Sequence, residues 1–507
     1  MIGNPMSDFL RAWFPGGSGL TASDDLTFVV LLGALVWIGR WAAAGVRTSE
    51  DFFLGGRRIP WTAGALALVA SEVSALTVLG VPATAFRENW GYLQFFCGAA
   101  AARALVAFVF LPAFSRAGAT TPYAYLGSRF GPWTRTAGAI SFLLTRLLIS
   151  AVRLLTASVA AGALLGWSPW PTLLLFTAGS IAAQARGGAR AAVWTGAFQA
   201  LVIFGAGLLS IAFLIHRIDG GIGGAWGTAV AAGKLTMFDF GPRLGSPDFL
   251  TKFFGEPAVF WVAALTGFVG AAASFGTDHE MTQKAMAVSG RSRSRLAMLA
   301  AIGGSFAALL LFLGLGALLF VFYKQNPGMA LPDHVDRIFP RFAATVMPRI
   351  LRGLLLSAIF MASVDSPLAS LSTAFIADVV LPFKAAAFDE ARRLKWARAA
   401  AVTAAVLLAA LAVLFSGNGA ALSLAFKAGG VCAGPLLGLF FLGLFTRRGD
   451  DRCAAVSFAA TSALNLFFLM LAENGFFPVS WNWLIVFGAG LAFVLAWAAS
   501  GRPAAKT

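Results

Sequence analysis

Histidine and cysteine are scarce: 507 residues contain three of each, with His216, His279 and His334 far apart and Cys97, Cys432 and Cys453 in or beside apolar runs. No spacing suits a histidine metal centre, a nucleophilic dyad or a disulfide framework, so the cysteines read as packing residues. Charge is also thin, 12% against a hydrophobic share of 59%, and the mean hydropathy is +0.79. Such a chain reads as an all-α polytopic membrane protein in one bundle, outside the length-per-domain rule for soluble proteins. In a soluble protein the net charge of +16 would suggest nucleic acid. Here the basic residues sort by topology instead, and no nucleic-acid partner is expected. The start, MIGNPMSDFLRAWFPGG, lacks the basic opening, apolar core and small-residue site of a removable signal.

What the chain has is apolar windows of about 20 residues, each enough to cross a bilayer. They fall near 26–45, 62–86, 95–115, 136–165, 171–183, 191–215, 257–275, 297–323, 346–378, 399–416, 420–445, 453–472 and 481–500, about thirteen spans. Loops after the odd-numbered spans, with the C-terminal tail, carry about twice the Lys and Arg of the other side, which places the N-terminus outside and the C-terminus in the cytoplasm. Arg40, Arg103, Arg146, Arg153 and Lys427 fall inside spans. For Arg40, snorkelling from a helix end suffices. The segment 217–256 reads as holding a short interfacial helix, and 385–398 as a basic amphipathic helix along the headgroups or a solvated loop.

One span stands apart. From Leu354 the chain runs LLLSAIFMASVDSPLASLSTAFIADVV, with a single carboxylate, Asp365, near its middle. On a continuous helix, Ala362, Asp365, Ser366, Ala369, Ser370 and Thr373 form one stripe of small and polar groups, bordered by Ser363. An acid at membrane depth is costly unless it faces a wet cavity and meets a cation, a proton or a basic partner. Pro367 has no N–H for the Ser363 carbonyl, and a free carbonyl beside hydroxyls and a carboxylate suits a hard cation. The bland alternative is a small-residue stripe for close packing, with Asp365 paired to a basic group.

With these features placed, the chain resembles the sodium/solute symporter family, which includes sodium/glucose, sodium/proline and sodium/sialic acid cotransporters. The resemblance runs from about Glu50 to Arg452, through EDFFLGGRRIPW at 50–61, YLGSRFG at 125–131, GGARAAVWTGAFQ at 187–199, GTDHEMTQK at 276–284 and GPLLGLFFLGLFTRR at 434–448. It implies a LeuT-like inverted repeat of five plus five helices in a single transmembrane transporter domain, 1–507. The first repeat would be 62–216 and the second 257–446, with extra helices at 26–45 and 453–500. Each repeat opens with a broken helix. The sequence points the same way, through the polar run Ser71, Glu72, Val73, Ser74 in the second span and Thr266, Gly267, Gly270 and Gly276 in the seventh.

Carried over by position, the family's sodium site uses carbonyls of Ala70, Val73 and Ile359 and the hydroxyl of Ser363. A second hydroxyl of the family falls on Ala362 and is lost. An Asp that some members carry in the sixth span falls on Gly196, while the chain gains Asp365 beside Ser366. That Asp belongs to a second sodium site of the family, and we read these changes together as a carboxylate relocated to the ninth span, where it faces the same cavity one turn from Ala362. Substrate positions fall on Ser74, Thr77, Gln94, Arg146, Ser274 and Phe275, with Glu72 and Arg153 as gating or charge-pair residues. Arg146 and Arg153 lie two helical turns apart on one face, and a buried arginine suits a carboxylate, which favours an organic anion such as a sialic acid or a monocarboxylate. Alternatively both arginines hold Glu72 or Asp365. Sugars and amino acids stay open, as do proton coupling and a sensor that keeps the bundle without transport. An enzyme would need clustered catalytic groups, and the nearest, GTDHEM at 276–281, reads as a cytoplasmic helix cap. The expectation is therefore a monomeric symporter of a bacterial inner membrane, whose partners are the lipid bilayer, a small-molecule substrate and a coupling sodium ion.

Overall fold

The computed structural model describes residues 22–73, 75–165, 167–242, 245–247, 249, 259–332, 335–364, 367–384, 388–416, 419–476 and 483–500. Regular structure there is helical, and the one β-bridge joins Ile59 to Val288. The principal helices are α1 (Ala22–Ala44), α2 (Trp61–Glu72), α3 (Ala75–Arg87), α4 (Leu93–Leu105), α5 (Pro132–Leu165), α6 (Pro169–Gln184), α7 (Gly188–Arg217), α8 (Phe260–Gly276), α9 (His279–Met286), α10 (Arg291–Gln325), α11 (Arg349–Val364), α12 (Leu368–Ala374), α13 (Glu390–Phe415), α14 (Gly419–Phe445), α15 (Asp451–Glu473) and α16 (Trp483–Ala499). Among the described residues, eight helices are long and apolar enough to cross a membrane, or ten if two bent pairs each count as one span.

Those bent pairs organise the bundle. The α2–α3 pair bends by 58° and α8–α9 by 61°. Around them, α2 packs on α7 and α10, α3 on α10, and α8 along α4, while α11 lies against α1 and α7. The α4–α8 seam is close because both helices offer glycine: a Cβ on Gly98 would overlap the Ala264 carbonyl, and one on Gly267 the Phe95 carbonyl. The pairs are also tied at one end, where Ile59 N–H donates to the Ala287 carbonyl at 3.2 Å and Ser289 N–H to the Ile59 carbonyl at 3.0 Å.

Three expectations change. The seventh span breaks only after the last of its expected residues, Gly276. Thr266, Gly267 and Gly270 sit inside continuous α8, where the Thr266 hydroxyl bonds back to the Val262 carbonyl at 2.7 Å, and the bend follows Gly276, at Thr277 and Asp278. Gly267 serves the α4 seam instead. In the ninth span the stripe does not lie on one helix: Ile338–Val346 is separate, α11 ends at Val364, and helix resumes at Leu368 after Pro367 at ψ 31°. Proline's missing N–H is the physical reason. Asp365 and Ser366 lie outside the described residues. Finally, 390–398 is no separate interfacial helix. Asp389 caps it by accepting from Arg392 N–H at 2.8 Å, and with no Gly or Pro before Phe415 the helix runs on as α13. The short helix expected within 217–256 is present as Gly221–Ala231.

Candidate functional site

The first break leaves Glu72 as the last residue of α2, with Val73 capping it outside helical geometry. The Thr77 hydroxyl donates to the Glu72 backbone carbonyl at 3.3 Å, satisfying a group the broken helix no longer serves. The Glu72 side chain meets two neighbours. One carboxylate oxygen takes Nη2 of Arg103 from α4, and the other accepts from the Ser305 hydroxyl of α10. Arg103 is 1% exposed, and its guanidinium lies 4.2 Å from the Phe275 ring centroid and 5.4 Å from that of Phe96. Four elements thus converge on one ion pair.

The second break is finished differently. Asp278 caps α9 by accepting from Glu280 N–H at 2.8 Å, and Arg146 of α5 reaches it at 3.3 Å while also pairing with Glu280. One turn on, Lys284 lies 3.4 Å from Glu280 and donates to the Ser71 hydroxyl, so the cluster ends on the residue next to Glu72. The Tyr123 hydroxyl donates to the Thr277 carbonyl at 3.0 Å. Gln283 bonds to the Phe53 carbonyl at 2.8 Å and to the Thr373 hydroxyl at 3.1 Å, joining α9 to α12. His279 is fully buried against the rings of Tyr123 and Phe142.

The structure distributes the residues singled out from sequence as follows. Ala70 and Val73 are buried at the end of α2, and Ile359 is buried on α11, which packs against α3. Ser363 is the penultimate residue of α11, its side chain outside the description, and Ser74 lies outside the described residues altogether. Thr77 stands at the first break, bonded to the Glu72 carbonyl, and Phe275, near the end of α8, packs against Arg103. Gln94 is buried and accepts from Asp239 N–H at 2.8 Å. Ser274 is exposed, and Arg153 is partly buried two turns from Arg146. Arg146 holds Asp278 and Glu280, Glu72 is held by Arg103, and Lys427 pairs with Glu473 at 2.6 Å. Gly196 faces Ala67 of α2 so closely that a Cβ there would stand 3.3 Å from it, leaving little room for a carboxylate.

Sequence reasoning missed Arg103 and Ser305, and took Asp278, Glu280 and Lys284 for a cap alone. A signal for Arg103 was present: a lone arginine in the run AAAARALVAF is as costly at membrane depth as Asp365. Chemically, the arrangement supplies two interrupted helices, a small set of buried charges and no metal-binding cluster of His, Cys, Asp or Glu among the described residues.

The sequence model of the sodium:solute symporter family matches residues 52–459. Among curated relatives, the sodium/sialic acid symporter SiaT of Proteus mirabilis is 25% identical over 441 residues, covering 85% of this chain and 87% of its own. The human sodium-coupled monocarboxylate transporter 1 is 27% identical over 471 residues, covering 89% and 74%. The fold is shared with a solved structure described as the substrate-bound, outward-open state of a Na+-coupled sialic acid symporter. That match has a TM-score of 0.83 at 22% identity and covers 94% of this chain and 97% of the other.

Proposed function

Since the chain belongs to the sodium:solute symporter family, we propose that it is a secondary active transporter that carries a small organic solute into the cell with sodium, and that the solute is an organic anion. The observation that supports this best is the pair of helices broken at facing places, α2–α3 at Val73 and α8–α9 at Thr277 and Asp278, with their charged groups meeting through Ser71 and Glu72. Interrupted helices leave carbonyl and N–H groups to be met by ions and solute, which is how transporter sites form at membrane depth. The sialic acid and monocarboxylate substrates named for relatives favour an anion.

In this reading the unit spans 1–507, about thirteen helices with the N-terminus outside, and acts as a monomer in a bacterial inner membrane. The first repeat is 62–216, the second 257–446, and 26–45 and 453–500 are additional. Sodium is held by carbonyls of Ala70, Val73 and Ile359, the Ser363 hydroxyl, and Asp365 with Ser366. The non-helical geometry of Pro367 before the helix at Leu368 supports this, because proline has no N–H for a carbonyl one turn earlier. Ser74, Thr77, Ser274 and Phe275 line the solute's path.

Thermal unfolding of the purified protein in matched sodium, potassium and choline chloride tests the reading. Sodium at ten times its dissociation constant is expected to add about 1.4 kcal/mol, and Asp365→Asn to abolish the gain. A midpoint indifferent to sodium but dependent on pH through Asp365 would instead favour proton coupling.

A further inference from the structure

Arg103 is the buried cation whose present contacts leave most undone. Its Nη2 serves Glu72, but Nε and Nη1 are both buried without an acceptor among the described residues. A guanidinium carries five donors in a planar fork, and donors removed from water are expected to find partners. Two aromatic rings, Phe275 on α8 and Phe96 on α4, hold the group from its sides, and Glu72, itself steadied by Ser305, fixes its end. The group is therefore oriented in advance. The Glu72 side chain is 30% exposed against 1% for Arg103, so the pair is reached from its carboxylate side.

We infer that Arg103 is the residue that recognises the carboxylate of the transported organic acid, through the N–H groups that Glu72 leaves unused. This rests on the symport reading above and adds the group that sets its specificity. Arg146, the arginine favoured from sequence, already faces two carboxylates and has less to offer an anion. Glu72 then has a positive role: it holds the guanidinium in place and cancels its charge while the site is empty, so that an uncharged solute gains little from it. Charge-assisted hydrogen bonds to a carboxylate favour the acid over an uncharged ester by about 10- to 100-fold.

The test compares sialic acid and lactate with their methyl esters, each titrated in sodium chloride by thermal shift against wild type and the double variant Glu72→Gln/Arg103→Gln. Neutralising both partners avoids stranding a charge. The expected result is that wild type prefers at least one acid over its ester by about 10-fold or more. The double variant should keep its sodium response and lose that preference. Should the double variant not fold, Arg103→Lys keeps the pair's charge, removes the fork and is expected to lose the preference as well. Retained preference in either variant overturns the inference, and so does a wild type that binds neither acid or does not tell acid from ester. In those cases an intact sodium shift leaves symport standing. Loss of any sodium effect in wild type removes the symport reading and the inference together.

Discussion

The two broken helices bend by nearly the same angle, 58° and 61°, yet their breaks are finished in opposite ways. At α8–α9 the protein supplies its own closure: Asp278 caps the new helix, Arg146 spans Asp278 and Glu280, and Lys284 answers Glu280 from the next turn. At α2–α3 the Thr77 hydroxyl meets the Glu72 carbonyl at the end of α2, and the ion pair beside it leaves donors without an acceptor among the described residues. The second break is the more fully paired of the two, although Arg146 Nε and the ring nitrogens of His279 have no hydrogen-bond partner among the described residues. On the proposed reading, one backbone device serves as a fixture in one half and as a receptor in the other.

Double substitutions separate the two cases, and they carry the largest expected effects. Removing one partner of a buried ion pair costs about 3–5 kcal/mol, because the other charge is left uncompensated. Glu280→Gln should therefore lower the unfolding midpoint steeply. Adding Arg146→Gln should recover little, since Asp278 then loses its arginine and Lys284 remains without its carboxylate. Glu72→Gln should also destabilise, but Arg103→Gln should recover most of that loss, because among the described residues the two side chains have one further hydrogen-bond partner, Ser305. Equal recovery at both breaks, measured by thermal or denaturant unfolding, would erase the distinction.

The shared framework can be perturbed without touching either charge cluster. α4 carries Arg103 and α8 carries Phe275 one residue before its end, so the glycine seam between them sets how closely the guanidinium sits on the ring. Gly98→Val would drive its side chain into the Ala264 carbonyl, and overpacking of this kind costs about 1–3 kcal/mol. The expected outcome is a moderate drop in midpoint together with weaker acid binding and an unchanged sodium shift. Unaltered binding at a lowered midpoint would show that the first break does not depend on the seam.

Much of this was legible in sequence, though unevenly. The first break was readable because Ser71, Glu72 and Ser74 are polar in an apolar run, and polarity at membrane depth needs a reason. The second was misplaced because glycine was taken as the mark of a break. Gly267 instead lets two helices touch, and the bend falls at Asp278, whose mark is a capping residue followed by Glu280. Arg103 escaped notice because its positive charge was counted only as one of the basic residues falling within spans, although it carried the same signal as Asp365. Partners such as Ser305 for Glu72, or Arg135 and Thr121 for buried Asp378, are separated by more than 200 residues. Periodicity and local motifs carry no information at that distance. Asp365 was the clearest sequence clue, and its site remains a proposal to be tested by sodium.

The smallest expected effect lies at the start of the short helix Ser49–Leu54, upstream of the Ile59 tie between the two broken helices. Thr48 and Asp51 form a capping box there: Asp51 N–H donates to the Thr48 hydroxyl at 3.1 Å, and Asp51 accepts from the N–H groups of Thr48 at 3.0 Å and Arg47 at 3.1 Å. Partial burial alone would raise the Asp51 carboxyl, but the backbone N–H groups of Arg47 and Thr48, the Thr48 hydroxyl and the charge of Arg58 outweigh it and hold the group below the usual carboxylate range. A folded-state value below the unfolded one means that ionised Asp51 stabilises above the ordinary carboxylate pKa of about 4, and that this contribution fades as pH falls through the depressed value. Asp51→Asn keeps an acceptor and loses the charge, so it should cost about 0.5 kcal/mol at neutral pH. The gap between wild type and variant should narrow once the medium is acidic enough to protonate Asp51. Because this helix leads into Ile59 and its bonds to the end of α9, the loss should loosen both breaks equally and leave the ratio of acid to ester binding untouched. A change in that ratio would mean that the tie between the broken helices, and not Arg103 alone, sets what the first break accepts.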